Sequence, residues 1–508
     1  MLNIIKHCID PNKSPGYDNI PALLIKWSAN HIIPVLIKLF NTFTELGKYP
    51  DFLKIAKVTA LFKGGDRLKR DNYRPISVLT HINTIFEKLI HERLSEFVKK
   101  HDILINSQYG FRKGHSTSHG ITHLHENIIK SIEKQKICAA LFIDLKSAFD
   151  TIDPNILVSK LDHYGVRGKA LQLLHSYLSD RKQLIKCNDI ESQLLNVLCG
   201  VPQGSVLGPL LFILYINDLA KYSRLDTLLF ADDAVLTSSH ESPKSLQKSI
   251  NGELKKLHHW FITNKLTLNL DKTKFMLFHK KRNLNQKLKK FKVNINNYSI
   301  KQVCKIKYLG VILDNKLNWN DHINFVSTKL AQTAGIIYKV RNKVPQKVLL
   351  RIYDSIGAHY LRYGVASWGS AKNTALDKLR IIQNKIIRYL THSSRFTNVQ
   401  NHYETLGILK LDDLYYLEVA KFIHRGVNDV LPSTFDEFFR PIEHQHNTRT
   451  KLNCIFSLPR ARTDLGKQSI KFSAVKVWSD LPPDIKSIED GKVFGFNVKK
   501  FLLKGKVI

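Results

Sequence analysis

Leu-Leu-Phe-Ala-Asp-Asp-Ala-Val-Leu, residues 228–236, is the stretch of this sequence from which the fold can be worked out. Two apolar runs flank an Ala-Asp-Asp triplet, a pattern that predicts a β-hairpin with Asp232 and Asp233 at its tip. A second apolar run, residues 137–143, has the length and composition of a buried strand and is followed directly by Asp144. The sequence therefore offers three carboxylates at the ends of strands.

These three carboxylates, if brought together, would repel one another unless cations neutralised them. Two divalent ions about 3.5–4 Å apart would do so, and would also hold the attacking and leaving oxygens of a phosphoryl transfer. Mg²⁺ suits this role because it takes few protein carboxylates and leaves coordination positions for substrate phosphates. An Asp-Asp pair alone is most often a surface turn, so the prediction of a nucleotidyl-transfer site depends on the apolar flanks and the surrounding motifs.

The composition favours a folded protein with a polyanionic partner. The chain has 508 residues, enough for two to four domains, and 43% of them are hydrophobic. Its 78 Lys and Arg exceed its 43 Asp and Glu by 35. An excess of this size indicates nucleic acid, because phosphate contacts supply most non-specific affinity. A ribosome-associated or membrane-surface protein is the alternative that charge alone leaves open.

The cysteines and the hydropathy pattern indicate an intracellular protein. The six Cys include no CxxC pair and are interpreted as reduced, mostly buried thiols. The N-terminus lacks the pattern of a signal peptide, and no run of about 18 uncharged apolar residues occurs. We expect a protein without a membrane partner, in the nucleus, the cytoplasm or both, within a ribonucleoprotein.

Periodicity predicts the remaining elements. Residues 1–60 have a helical pattern, and residues 62–66 and 72–75 are interpreted as loop. Helices are predicted at residues 82–99, 154–178, 210–219 and 245–262, and a mainly helical region beyond 318. Seven of the thirteen residues 280–292 are Lys or Arg. Such a run is usually a solvated face, and a specific nucleic-acid role is the alternative.

Several further motifs, taken with Phe230-Ala231-Asp232-Asp233, resemble the reverse transcriptases of retrotransposons without long terminal repeats. They follow in the family's order and are found at residues 13–18, 62–66 with 72–77, 107–112, 144–150, 200–209, 230–233, 264–273 and 308–310. The segment Trp-Ser-Asp-Leu-Pro at residues 478–482 is similar to the C-terminal part of the jockey-like branch, although that match is much less specific.

The resemblance implies an α+β fold: a right-hand polymerase with fingers, palm and thumb, followed by a mainly helical C-terminal region. It implies that the palm places Asp144 and the 232–233 hairpin on adjacent strands. The implied divisions are an N-terminal helical extension at 1–43, fingers and palm at 44–314, a helical thumb-like region at 315–390 and a C-terminal basic region at 391–508.

The resemblance also implies roles for individual residues. Asp144, Asp232 and Asp233 would be catalytic ligands of two Mg²⁺ ions, with Mn²⁺ as a substitute. Phe149 would lie under the nucleotide sugar and exclude a 2′-hydroxyl, although a core Phe is the simpler interpretation. Gln203, in a Pro-Gln-Gly turn, would lie near the incoming nucleotide, although it could equally belong to a plain turn.

Basic residues would complete the site. Arg74 and Lys63 are candidate clamps for the triphosphate, since a guanidinium pairs bidentately with phosphate, while Lys63 fits a solvated loop equally well. Lys272 would protonate the leaving pyrophosphate, and Lys274 is the second candidate for this role. The simpler interpretation of Lys272 is an ordinary surface lysine. The turn Tyr308-Leu309-Gly310 would contact the primer end. Asp150 and Asp153 are interpreted as structural neighbours of the site, and Ser147, where many relatives have Lys, as harmless to catalysis.

The implied function is RNA-directed DNA polymerisation from a primer 3′-hydroxyl, with an RNA template, a DNA primer and deoxynucleoside triphosphates as partners. A catalytically silent nucleic-acid-binding remnant of a retrotransposon is the main alternative. A group II intron maturase is disfavoured by the jockey-like tail. A nucleotide cyclase is disfavoured because Gly-Gly-Asp at residues 64–66 precedes the palm and lacks the Glu-Phe that would follow.

Other activities are not expected from this sequence. His444, His446 and Cys454 lie close together, with His402 upstream, but without a CxxC partner they lack the normal spacing of four zinc ligands. We therefore expect no zinc. We also expect no endonuclease and no ribonuclease H in a chain that begins almost directly at the polymerase motifs.

Overall fold

The computed structural model describes residues 1–187, 190–280, 288, 290–439 and 456–505. It combines β-sheets with many helices. The strands are β1 (Ile55–Phe62), β2 (Tyr73–Val78), β3 (Ile137–Ile143), β4 (Arg181–Cys187), β5 (Ile190–Glu191), β6 (Leu195–Val197), β7 (Asp226–Phe230), β8 (Asp233–His240), β9 (Lys274–Phe278), β10 (Val293–Ile295), β11 (Tyr298–Gln302), β12 (Lys305–Tyr308) and β13 (Val311–Asp314).

The helices of the first three hundred residues surround these strands, and those beyond residue 319 follow one another to the C-terminal end of the described chain. They are α1 (Leu2–Cys8), α2 (Ala22–Trp27), α3 (Ala29–Leu46), α4 (His81–Lys100), α5 (Thr117–Glu133), α6 (Pro154–His163), α7 (Gly168–Leu178), α8 (Gly208–Tyr215), α9 (Leu219–Tyr222), α10 (Pro243–Thr263), α11 (Asn320–Val340), α12 (Gln346–Ile352), α13 (His359–Arg362), α14 (Val365–Trp368), α15 (Asn373–Leu390), α16 (Gln400–Leu406), α17 (Leu411–Val427), α18 (Asp464–Lys467), α19 (Ile470–Asp480), α20 (Pro483–Lys486) and α21 (Gly491–Leu503).

The central sheet has the strand order β10-β11-β9-β3-β8-β7, with β3 antiparallel to both β8 and β9. All seven residues of β3 are buried. Successive side chains of a strand point to opposite faces. Accordingly Cys138, Ala140 and Phe142 join one apolar core, while Ala139, Leu141 and Ile143 join the other. The sheet is thus covered on both faces, which explains why this strand is an unbroken apolar run.

The C-terminal helices are attached to the central sheet through α5. The buried carboxylate of Glu126 accepts hydrogen bonds from Ser469 Oγ (2.6 Å) and Ile470 N (2.7 Å) at the start of α19. Two turns of helix later, Glu133 accepts a hydrogen bond from Arg462 N (2.6 Å). One apolar core runs from β3 through α5 into the helices beyond residue 319.

A second sheet, with the order β2-β1-β4-β5 and with β6 paired to β4, lies in the fingers part of the sequence. It corrects two predictions. Residues 55–60 are strand rather than helix, and residues 73–75 belong to β2 rather than to a loop. β2 pairs with β1 in an antiparallel ladder in which Tyr73 lies opposite Phe62. β1 also pairs with β4 in a parallel ladder, with Ile55 opposite Lys182, and local periodicity cannot show that long-range pairing.

Most predicted helices are confirmed, with two breaks. The predicted helix 154–178 is interrupted after His163, where Gly165 has a φ of +95°. The predicted helix 210–219 ends at Tyr215, because the Asn217 side chain instead bonds Ile103 O (2.7 Å) and Ile105 N (2.9 Å). Most of the basic run 280–292, and the His444, His446 and Cys454 group, lie outside the described residues.

Among the described residues, no helix combines the length and apolar character needed to cross a membrane.

Candidate active site

The three predicted carboxylates lie at one end of the central sheet. Strand β3 pairs with β8 so that Ile143 is opposite Ala234, which places Asp144 beside Asp233. The β7–β8 hairpin turns at Ala231, whose φ of +55° is in the left-handed region, and carries Asp232 at its tip. The predicted hairpin and its neighbouring strand are therefore confirmed. Residues that lie directly opposite each other on adjacent antiparallel strands have side chains close enough to interact.

The tip of the hairpin is braced by residues 107–112. Gln108 Oε1 accepts hydrogen bonds from Gly110 N (2.9 Å) and Ala231 N (3.3 Å). Tyr109 N donates to Leu229 O at 2.8 Å, so this segment lies flat on β7. A Cβ on Gly110 would lie 2.3 Å from Ala231 N. The sequence analysis recognised this motif but did not predict that it holds the hairpin tip in place. Gly110 was the residue that could have indicated this role, because glycine allows close approach of another backbone.

The electrostatics of the carboxylates show how close together they lie. Loss of hydration, followed by repulsion from Asp232 and Asp144, raises the pKa of Asp233 to about 6. The pKa of Asp232 is also raised, first by loss of hydration and then by Asp144. Both residues remain solvent-exposed, so these shifts are screened in part.

The side chains are not already arranged as a ligand shell. Within residues 1–187, 190–280, 290–439 and 456–505, no three His, Cys, Asp or Glu residues converge closely enough to hold a metal ion. The backbone register brings the ends of β3 and of the β7–β8 hairpin together, so Asp144, Asp232 and Asp233 lie at the same end of the sheet.

Lys272 and Lys274 differ in what they reach. Lys272 Nζ lies 3.9 Å from Asp144 Oδ2 and is 72% exposed. Lys274 Nζ instead donates a hydrogen bond to the backbone carbonyl of Asp271. The segment is fixed against Asp144, whose carbonyl accepts from Asn269 N (2.8 Å). Of the two predicted candidates, Lys272 is the one that faces the carboxylates.

Phe149 and Gln203 lie where two motifs meet. The Phe149 ring stacks on Phe212 with centroids 4.6 Å apart and meets Phe111 edge-on at 6.2 Å. Gln203 Nε2 donates to Asp150 Oδ1 at 2.8 Å, and Gln203 O accepts from Ser77 N at 2.7 Å. The Pro-Gln-Gly turn is therefore hydrogen-bonded to both the Asp144–Asp150 segment and β2.

A buried carboxylate that sequence analysis missed supports the same turn. Glu87, on α4, is fully buried and accepts hydrogen bonds from Val206 N (2.6 Å), Tyr177 OH (2.8 Å) and Asn83 Nδ2 (2.9 Å). Helical periodicity alone would place a Glu on a solvated face. Its burial is tolerable because three donors surround it, and two of them, Val206 N and Tyr177 OH, come from elements distant in the sequence.

Lys63 directly follows β1, where its Nζ donates a hydrogen bond to Asp71 O at 3.3 Å, and Arg74 lies in β2. Burial raises the pKa of Asp150, and the charge of Lys63 acts in the opposite direction. The charge of Arg74 likewise lowers the pKa of Asp232 against the larger effect of lost hydration. Both basic residues are exposed, so they are available to a bound anion.

The turn at residues 308–310 adjoins the carboxylates. A cavity of about 110 Å³ is lined by Asp144, Asp233 and Lys272 together with Tyr308 and Leu309. Tyr308 is buried, whereas Leu309 and Gly310 are the more accessible residues of the turn.

Asp153 has the structural role predicted for it. Its carboxylate accepts hydrogen bonds from Asn155 N (2.9 Å) and Ile156 N (3.1 Å) at the start of α6, and lies 2.6 Å from Lys265 Nζ. Such an N-cap satisfies backbone donors that a helix cannot pair internally.

These features define a right-hand polymerase fold. They are a hairpin that carries two carboxylates, a third carboxylate at the end of the neighbouring strand, a fingers sheet and a helical C-terminal region. The family comparison agrees, because residues 63–313 match the model of the reverse transcriptase (RNA-dependent DNA polymerase) family. The chain belongs to this family through those residues.

Its relatives include the polymerases of several mobile elements, jockey among them, in agreement with the resemblance seen in the motifs. It is 30% identical over 397 residues to the probable RNA-directed DNA polymerase from transposon X-element of Drosophila melanogaster, covering 75% of this chain and 42% of the relative. It is 27% identical to the RNA-directed DNA polymerase from mobile element jockey of Drosophila funebris, covering 83% and 46%. The chain spans about half the length of the curated relatives it matches.

Among solved structures, apo telomerase from Candida tropicalis aligns with 80% of this chain and 72% of its own, at 11% identity and a TM-score of 0.41. A superposition this loose supports no argument about the present chain.

Proposed function

We propose that the chain is an RNA-directed DNA polymerase that extends a DNA primer along an RNA template. The observation that carries this proposal is the pairing of β3 with β8, which sets Asp144 beside the Asp232–Asp233 tip. The net charge of +35 suits a partner made of phosphates. Beyond family membership, this function specifies an RNA template, a DNA primer and deoxynucleoside triphosphates as the partners.

The carboxylates fit divalent cations such as Mg²⁺ or Mn²⁺. Their oxygens are the ligands that hard cations take. Loss of hydration, and then repulsion from Asp232 and Asp144, raises the pKa of Asp233, and a cation would relieve that repulsion. We infer that Asp144, Asp232 and Asp233 would hold the ions. When bound, two such ions stabilise negative charge on the attacking and leaving oxygens.

The chain's own residues would position the reactants. Arg74 and Lys63 would bind the triphosphate from the fingers side. Phe149, held by Phe212 and Phe111, would present a flat surface to the nucleotide sugar and exclude a 2′-hydroxyl. Lys272 would donate a proton to the leaving pyrophosphate.

Leu309 and Gly310 would place the primer end. The primer 3′-hydroxyl would then attack the α-phosphate in line, which makes positioning the main task of the protein.

Primer extension tests the proposal directly. Purified protein, Mg²⁺, all four deoxynucleotides and a labelled DNA primer on an RNA template are compared with the Asp232→Asn variant. We expect extension by the wild type and none by the variant, because the amide removes a metal ligand. Primer–template affinity, measured by fluorescence anisotropy, should be nearly equal, because Asp232 makes no phosphate contact.

Asp226→Asn is the matched control. Asp226 is the first residue of β7, at the opposite end of the same hairpin, so its loss should leave extension intact. Extension by Asp232→Asn would contradict the metal assignment. Tight binding without extension by the wild type would favour the alternative, a retrotransposon remnant that binds nucleic acid without copying it.

A further inference from the structure

A second cavity of similar size lies at the N-terminus of α5, away from the carboxylates. Its volume is about 110 Å³, and its wall is formed by α5, by the segment from Arg362 to Ala366 and by α17 of the C-terminal region. The polar residues that matter are Ser116, Ser118, His119, Arg362, Lys421 and Arg425. None of the proposed polymerase roles uses this cavity.

The helix end at this cavity favours an anion. Helix α5 has 17 residues, and its Ser116 cap accepts a hydrogen bond from His119 N at 3.3 Å. The backbone N–H groups of a first turn carry partial positive charge, and they stabilise phosphate groups that bind at the helix end. The hydroxyls of Ser116 and Ser118 add donors at the same opening.

His119 is a second, independent observation that favours a ligand at this cavity. The residue is only 4% exposed and forms part of the cavity wall, and its Nδ1 has no hydrogen-bond partner among the described residues. Its ring is fixed edge-on between Phe422 (6.2 Å) and Phe435 (5.9 Å). A buried polar atom without a partner is unfavourable, so a ligand that supplies one would be favoured.

The charges around the cavity are basic in excess. Lys421 is paired with Glu418 at 2.9 Å, and Arg362 lies 3.5 Å from Asp354. Arg425 lines the cavity, is exposed, and has no ion pair within the part of the chain that the structure describes. Arg425 is therefore the cation of this lining that no described carboxylate pairs with, whereas Lys421 and Arg362 are cations that are already paired.

The cavity adjoins the turn at residues 308–310. Gly364 follows Tyr363, whose hydroxyl donates to Leu309 O at 2.5 Å. On α5, a Cβ added to Gly120 would lie 3.3 Å from Leu309 Cδ1. A strand held at that turn would pass close to the cavity.

We propose that this cavity binds one backbone phosphate of the primer–template duplex, with Arg425 as its principal charged contact. The C-terminal region thereby becomes part of the duplex-binding surface. The inference rests on the proposed function, because it needs a bound duplex.

The test measures the affinity of the full chain for a DNA primer annealed to RNA, by anisotropy without deoxynucleotides. Arg425→Gln should weaken binding on the order of tenfold and make the salt dependence shallower, by about 1 in the slope of log K against log salt. Lys347→Gln, an exposed lysine of α12 outside the cavity, is the matched control and should change affinity less. Melting curves of both variants should match the wild type, because both residues are exposed.

Replacing single phosphates by neutral methylphosphonates identifies the contact. At one position of the duplex, the methylphosphonate should weaken binding by the wild type by about as much as Arg425→Gln does. The same methylphosphonate should have no further effect on binding by the Arg425→Gln variant. The inference is wrong if no methylphosphonate position shows this behaviour. It is also wrong if the slope of log K against log salt is the same for Arg425→Gln as for the wild type. Binding of inorganic phosphate without any sensitive position would mean that the cavity takes a free ion, which also overturns it. A wild type that binds no primer–template contradicts the proposed function instead.

Discussion

Replacing Gly110 by Ala should impair extension by shifting the tip that carries Asp232. A Cβ there would lie 2.3 Å from Ala231 N, whereas ordinary contact begins at 3.4 Å, so a relative displacement of 3.4 − 2.3 = 1.1 Å is required. The neighbour is backbone and cannot rotate away. Leu229, joined to Tyr109 N (2.8 Å) and Ser107 O (3.0 Å), prevents the whole strand from moving freely.

Two magnitudes follow from this displacement. A misplacement of about 1 Å in an active site can cost roughly 10²-fold in rate, so we expect kcat to fall by about that factor. Forcing an extra methyl group into a packed contact costs about 1–3 kcal/mol, which should lower the melting temperature by a few degrees. Primer–template affinity should change little, because Gly110 makes no proposed phosphate contact.

The assay combines steady-state primer extension, thermal unfolding by circular dichroism and anisotropy. Gly252→Ala is the control, since Gly252 lies inside α10 with nothing within 4 Å of its added Cβ. That substitution should keep full activity and stabilise the helix by up to about 1 kcal/mol. Wild-type activity and stability in Gly110→Ala would refute the idea that this contact holds the tip.

Three further predictions concern the same site. Phe149→Val should raise incorporation of ribonucleotides relative to deoxynucleotides, and unchanged sugar discrimination in a competition assay would contradict the gate. Lys272→Met should slow single-turnover extension about 10²-fold or more while Lys274→Met changes it little; equal losses would remove the proton-donor role. The pKa of Asp233 is raised from 3.8 to about 6, so the folded chain binds this proton more tightly and the free energy of unfolding should fall as pH rises through that interval. In urea titrations Asp233→Asn should lack that component, about 1 kcal/mol after allowance for solvent screening, and identical pH profiles would contradict the raised pKa of Asp233.

Local sequence was sufficient for the elements that form the carboxylate site. Residues 137–143 are a continuous apolar run because both faces of β3 are covered, and residues 228–236 have turn residues between two apolar runs. Such signals lie within a few residues of each other, so the strand and hairpin could be predicted. The fingers strand β1 could not, because it pairs with β4 more than a hundred residues away.

The supporting contacts of the site depended on tertiary structure. Glu87 and Gln108 are buried polar residues that accept hydrogen bonds from near neighbours and also from distant segments, Val206 N in one case and Ala231 N in the other. No spacing within α4 or within residues 107–112 shows those partners.

The sequence by itself determined which side chains are the candidates for the chemistry, the three Asp residues with Phe149, Gln203 and their basic neighbours, because motif order and apolar flanks are properties of the linear chain. Tertiary structure alone decided that Lys272 rather than Lys274 faces Asp144, that Tyr308 is buried, and that Arg425 lies at the N-terminus of α5. The physical reason is that direction and proximity arise only when separate elements pack, and a side chain's neighbours in space are not its neighbours in the chain.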